Sequence, residues 1–155
     1  MESVIATNLK RFKAVPNMRF AALDFSQTPL PKLAGAGPAP RLAVFSRDAL
    51  QHLPMDVVVD ALQNFVASSA TYVIVGSYGG GPGSNVDIPA GHYFPIDLMA
   101  EPFSLPPPLD VVEEETADKK LMLVFEVAEL RKKVDFKAMR ARVAKAKAAP
   151  AAGGR

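Results

Sequence analysis

The sequence predicts an α/β fold in which parallel strands are flanked by helices and the chain ends in an antiparallel β-hairpin. Three observations carry that expectation. Two apolar runs, RLAVFS (41–46) and ATYVIVGSY (70–78), enclose a segment whose apolar residues recur at helical spacing. The second run is continuous and β-branched, the pattern of a strand covered on both faces in a parallel sheet. Near the end, LDVVEEE (109–115) and KLMLVFEVAEL (120–130) are separated only by TADK, the spacing of a hairpin.

The elements follow in order. Ile5, Leu9 and Phe12 fall at i, i+4 and i+7, with Lys10, Arg11 and Lys13 elsewhere on the turn, so residues 2–14 read as a one-faced helix. Pro16-Asn17 ends it. MRFAALDF (18–25) reads as a short buried strand closing on Asp24, and SQTPLPKLAGAGPAP (26–40) has too much Pro and Gly for regular structure. The run 41–46 is the next strand. Met55, Val58, Val59, Leu62, Phe65 and Val66 then mark one face of a helix, with Asp56, Asp60, Gln63 and Asn64 on the other. Strand, helix and strand across 41–76 predict a right-handed βαβ unit.

Residues 79–108 form a long connection without a regular pattern, which in a compact domain marks a lid or a covering segment. Tyr93, Phe94, Ile96, Leu98 and Phe103 predict that it packs on the body. The hairpin strands come next. Two regions result: an α/β domain over 1–130 and a basic tail over 131–155, helical at first and low in complexity and disordered at its end.

Length and composition narrow the function. A chain of 155 residues suits one domain, and folding at this size buries roughly 68–70% of the unfolded surface. No run approaches the ~18 apolar residues of a membrane span, and the N-terminus lacks the apolar core of a signal peptide. With no cysteine, disulfides, thiolate metal sites and Cys nucleophiles are excluded. The expected location is cytoplasmic. The tail holds nine basic residues against Asp135 alone, a net of +8, while 1–130 carries nine basic and fifteen acidic, a net of −6. Charge of that sign attracts nucleic acid or anionic membrane, but Phe136 is the tail's one aromatic and base stacking has little to work with. A solubilising extension is the expected role, with neither membrane nor nucleic acid as partner.

The order of elements and the residues within them resemble the C-terminal portion of the class I S-adenosylmethionine-dependent methyltransferases. RFAALDF is similar to the strand whose terminal acidic residue faces the adenine. LAVFSRDALQHLP is similar to the next strand and its polar turn, a form of R-D-x-L-x-H-L. HYFPIDLMAEPFSLPPPLDVVEE followed by KKLMLVFEVAEL resembles the closing segment of a bacterial-type subgroup. The resemblance spans about residues 4–130 and implies a partial Rossmann-like methyltransferase sheet. It implies S-adenosyl-L-methionine as cofactor, held by Asp24, Phe25, Ser46 and Arg47. His52 and Asp48 would be the catalytic bases, and Tyr78 and Tyr93 would meet an unidentified methyl acceptor.

The family's opening strand, Gly-rich loop and ribose-binding acidic residue have no counterpart before residue 1. YGGGPGSN (78–85) follows a strand but does not open a helix, so it reads as a plain Gly-rich turn. The expectation is a truncated product that binds its cofactor poorly, or one whose sheet a partner chain completes. Strand edges would otherwise stay unpaired and apolar faces uncovered.

Each candidate residue also has a structural reading. Asp24 serves equally as a carboxylate capping a loop, and Asp48 as a cap with Arg47 as its ion-pair partner. His52 could serve as a general base, because an unperturbed imidazole changes charge near working pH, yet a packed, hydrogen-bonded histidine looks the same in sequence. His92 is a weaker base candidate. No metal is expected, because two His lie forty residues apart without Cys. The Glu113–Glu115 run reads as a solvated strand edge, and no acyl- or phosphoryl-transfer motif occurs. The rival expectation is a non-catalytic interaction module whose half-sheet pairs with another polypeptide.

Overall fold

A computed structural model describes residues 2–32, 41–81 and 84–148. The elements are α1 (Glu2–Arg11), β1 (Ala43–Ser46), a 3₁₀ turn (Leu50–His52), α2 (Met55–Ala67), β2 (Tyr72–Tyr78), β3 (Asp110–Glu113), β4 (Lys120–Glu126), α3 (Val127–Lys133) and α4 (Phe136–Ala148). The strands form one mixed, open sheet in the order β1-β2-β4-β3. β1 and β2 are parallel and joined through α2, while β4 runs antiparallel to both β2 and β3. The parallel pair and the terminal hairpin are present as expected.

Two expectations need correction. Residues 18–25 are not a strand. The chain there is irregular, and Asp24 heads a turn: its Oδ1 accepts from Ser26 N at 3.0 Å and Ser26 Oγ at 2.7 Å. The segment finds no ladder, since β1 pairs only with β2, and a strand must satisfy its backbone groups through a neighbour. It is tied down by side chains instead. Asn64 donates to the carbonyls of Phe25 and Thr28, and Phe25 packs on Phe65 with ring centroids 5.8 Å apart.

The last strand also stops early, at Glu126 rather than residue 130. Glu126 opposes Tyr72, the first residue of β2, so the ladder partner runs out there. Val127 and Leu130 then bury one side of α3, with Arg131, Lys132 and Lys133 in its last turn, where the helix dipole favours cations. Arg131 reaches across to the end of α2, donating to Val66 O at 3.0 Å and Ser68 O at 2.7 Å.

Successive strand residues point to opposite faces, and the register sorts them cleanly. Val44, Val73, Phe125, Val75 and Leu123 share the face that α2 covers, where they meet Val58, Val59, Leu62 and Phe65. The opposite face carries Phe45, Ile74, Val124, Met122 and Val112. Phe45 is 63% exposed and Val112 52%. Between them Ile74 and Val124 are half-buried and Met122 is buried, and α1 buries none of its own residues.

The long connection is a covering segment. Phe94, Ile96, Leu98 and Phe103 are buried in the core, whereas Tyr93 stays half exposed. Its order comes from buried Asp97, whose carboxylate accepts from the backbone N–H groups of Gly81, Met99 and Ala100. Asn85 donates to Asp97 O and Glu101 O, both at 2.8 Å, and closes the loop.

Past residue 131 the structure shows more than a charged extension. α4 docks on α2 by burying Met139 and Val143. Arg140 pairs with Asp60, Lys147 with Asp56 at 3.0 Å and Asp87 at 3.3 Å, and Arg142 with Glu101 at 3.2 Å. The acidic body and basic tail thus neutralise each other. The end at 149–155, expected as disordered, lies outside the described residues, as does much of the Pro/Gly loop at 33–40.

Candidate functional site

Ser46 and Tyr78 end the parallel strands β1 and β2 at the same edge of the sheet, where open α/β sheets place ligands. Just past β1, Asp48 adopts a left-handed backbone with φ 55, a conformation that Asp tolerates better than most residues. Gly76 on β2 lies beneath this turn. A Cβ there would meet Asp48 N and Ser46 O at 3.8 Å, so the turn sits close over the sheet.

Asp48 Oδ2 accepts from Arg47 Nη1 at 2.7 Å, and Oδ1 accepts from Gln51 Nε2 at 3.0 Å and from Lys120 Nζ. Arg47 turns its fork on Glu114, with Nε and Nη2 each 2.8 Å from a different carboxylate oxygen, the strong bidentate geometry. Two cations and two anions are thereby matched. The Lys120 ammonium holds the Asp48 carboxyl below the usual range, with help from Gln51. Arg47 does the same for Glu114, and Asp48 raises Lys120 in return. A carboxylate so held is a poor proton acceptor at neutral pH. The Arg47–Asp48 pair foreseen as a rim is therefore the centre of a clamp between β1 and the hairpin.

His52 ends the 3₁₀ turn, with Nδ1 2.8 Å from His92 O. A carbonyl only accepts, so Nδ1 carries the proton and Nε2 of the neutral ring keeps its lone pair. Tyr93 lies beside it at 5.6 Å between ring centroids, and Tyr78 meets Tyr93 edge-on at 6.4 Å. Lys120 Nζ stands 5.7 Å from the centre of the Tyr78 ring. Burial, with the Tyr93 hydroxyl second, pushes the Tyr78 phenol up to about 12, so it remains a donor at neutral pH. His52, Tyr93 and Tyr78 thus form one aromatic row beside the ion network.

On the other side of Arg47 is a cleft of about 360 Å³ lined by Phe25, Phe45, Ser46, Arg47, Ala49 and Phe65. Three of the four residues expected to hold a cofactor meet there. The fourth, Asp24, is turned into its own Ser26 contacts. A smaller cleft of about 220 Å³, at the amino end of β1, has no titratable residue in its lining. Among the described residues no group of three or more His, Asp or Glu is placed to hold a metal ion, and no helix is long and apolar enough to cross a membrane.

Sequence reasoning missed Glu114 and Lys120, which lie 67 and 72 residues from their partners Arg47 and Asp48. The one signal was register: with the hairpin paired to β2, Lys120 stands opposite Tyr78 and falls at the ligand edge. Comparison with protein-family models, curated proteins and solved structures found no match.

Proposed function

We propose that this chain is a methyltransferase-like α/β domain whose cleft at the carboxyl end of β1 takes the aromatic end of S-adenosyl-L-methionine. The observation that carries the reading is the meeting of Phe25, Ser46 and Arg47 in that one cleft. Its volume falls near the lower end of the ~300–1,000 Å³ of ligand pockets, and Phe25, Phe45 and Phe65 offer an apolar, aromatic lining. A parallel strand pair followed by an antiparallel hairpin supports the same reading.

When bound, the cofactor supplies an electrophilic methyl group. The chain's own contribution is placement: the Arg47–Glu114 clamp fixes the rim of the cleft, and the aromatic row of Tyr78, Tyr93 and His52 offers the acceptor a wall. Holding two reactants in near-attack geometry is worth about 7–11 kcal/mol. His52 Nε2 would take a proton from an acceptor that must lose one, a contribution of about 10²–10⁴-fold.

Among the described residues no glycine-rich strand-to-helix loop grips the cofactor, so binding by this chain alone is weak. NMR titration with S-adenosylhomocysteine tests this. Shifts confined to Phe25, Ser46, Arg47 and their neighbours, saturating only at millimolar ligand, are expected. Absence of shifts at those residues would remove the methyltransferase reading, and micromolar binding by calorimetry would remove the weak-binding part.

A further inference from the structure

We propose that the uncovered face of the sheet is the seat of α1 from a second copy of this chain, the two copies exchanging helices about a two-fold axis. It does not rest on the methyl-transfer reading, although Phe45 stands at the border between this face and the cleft. Two incompletely covered apolar surfaces occur among the described residues. One is the sheet face, where Phe45 is 63% and Val112 52% exposed, Ile74 and Val124 are half-buried and Met122 is buried. The other is α1, with Val4 58% and Leu9 52% exposed and no buried residue. A helix of ten residues is marginal in water without a packing partner, and a contiguous bare apolar patch marks an interaction site.

Their charges are complementary. Lys10 and Arg11 close the last turn of α1, while Asp110 and Glu126 stand on the open face of the sheet, opposite Val124 and Tyr72. None of these four joins an ion pair among the described residues.

In the single chain α1 does not lie on this face: Phe45 and Val112 stay exposed and α1 buries no residue. Exchange between two copies covers both helices and both faces with one self-complementary contact.

The test is light scattering on the full chain across micromolar to submillimolar concentration. A dimer is expected, weakened about tenfold or more by Leu9→Glu and likewise by Phe45→Glu. Both side chains are exposed, so circular dichroism of the two variants should match the parent. Mixing the variants pairs an intact helix with an intact face once per dimer, and partial recovery of the dimer is expected. A parent chain that stays monomeric overturns the proposal, whether or not α1 folds onto its own sheet. So does a dimer indifferent to both substitutions, or variants that recover nothing on mixing.

Discussion

α1 and α4 are both short, basic helices with apolar residues on one side, and they have opposite fates. By sequence α1 is the better candidate for docking, because Ile5, Leu9 and Phe12 make a regular stripe. α4 has only Phe136, Met139 and Val143 among alanines and cations. Yet α4 buries Met139 to 1% and Val143 to 2% exposure, while α1 buries nothing. The difference lies in the counter-surface. α2 presents Asp56 and Asp60 where Lys147 and Arg140 can meet them, and covalent continuity through α3 delivers α4 to that spot. α1 hangs on an irregular tether, and its charged residues join no ion pair among the described residues. Amphipathic spacing shows that a helix can dock; the partner's shape and charge decide whether it does.

The largest expected effect follows directly. Met139→Ala removes a fully buried side chain and should cost about 2–4 kcal/mol in urea unfolding. Leu9→Ala in dilute, monomeric protein should stay within about 0.5 kcal/mol. Equal costs would erase the contrast between the helices.

Removing one charge should matter less. Asp60→Asn breaks its pair with Arg140, which at a partly exposed site is worth about 0.5–1 kcal/mol at low salt and fades towards ~1 M. Lys10→Ala should show no salt-dependent change in the monomer. A salt-independent Asp60→Asn cost would mean that the Arg140–Asp60 pair does not help to hold α4.

The smallest effect is in acid. Desolvation is the largest single influence on the Asp56 carboxyl and pushes it up, but the hydrogen bond and charge of Lys147 and the N–H of Val57 together outweigh it, and the net shift is downward. Asp48 is lowered by Lys120. A folded-state pKa below the unfolded one means that the stabilisation is complete above the ordinary carboxylate range and disappears as pH falls through the depressed value. Urea midpoints should therefore hold from neutral pH down to about 4–5 and drop below it. Asp56→Asn and Asp48→Asn should each flatten that drop, and curves unchanged by both would refute the assignment.

The sequence was most readable where local pattern and global fold agree. The helical spacing from Met55 gave α2, and the β-branched run gave β2 within two residues of its start. MRFAALDF misled because an apolar run is only half of a strand; the other half is a neighbour to bond with, and none is in reach. The overlong last strand misled for a related reason, since VAEL is as apolar as what precedes it and only the end of β2 decides where β4 must stop. At the site, Arg47, Asp48 and His52 were visible as a polar edge. Their engagement was not, because the hairpin that brings Glu114 and Lys120 lies far along the chain. Likewise His52's tautomer depends on a backbone carbonyl forty residues away, which no motif encodes.

Arg47 belongs to the first strand's turn, and Glu114 follows the strand at the opposite end of the sheet. Their bidentate contact spans both inner strands, like a buckle fastened over a belt. β1, only four residues long and bonded on one side, therefore borrows its persistence from the hairpin. Fraying of β3 would loosen the margin of the sheet farthest from it in strand order, and the mouth of the Phe25 cleft would open with it.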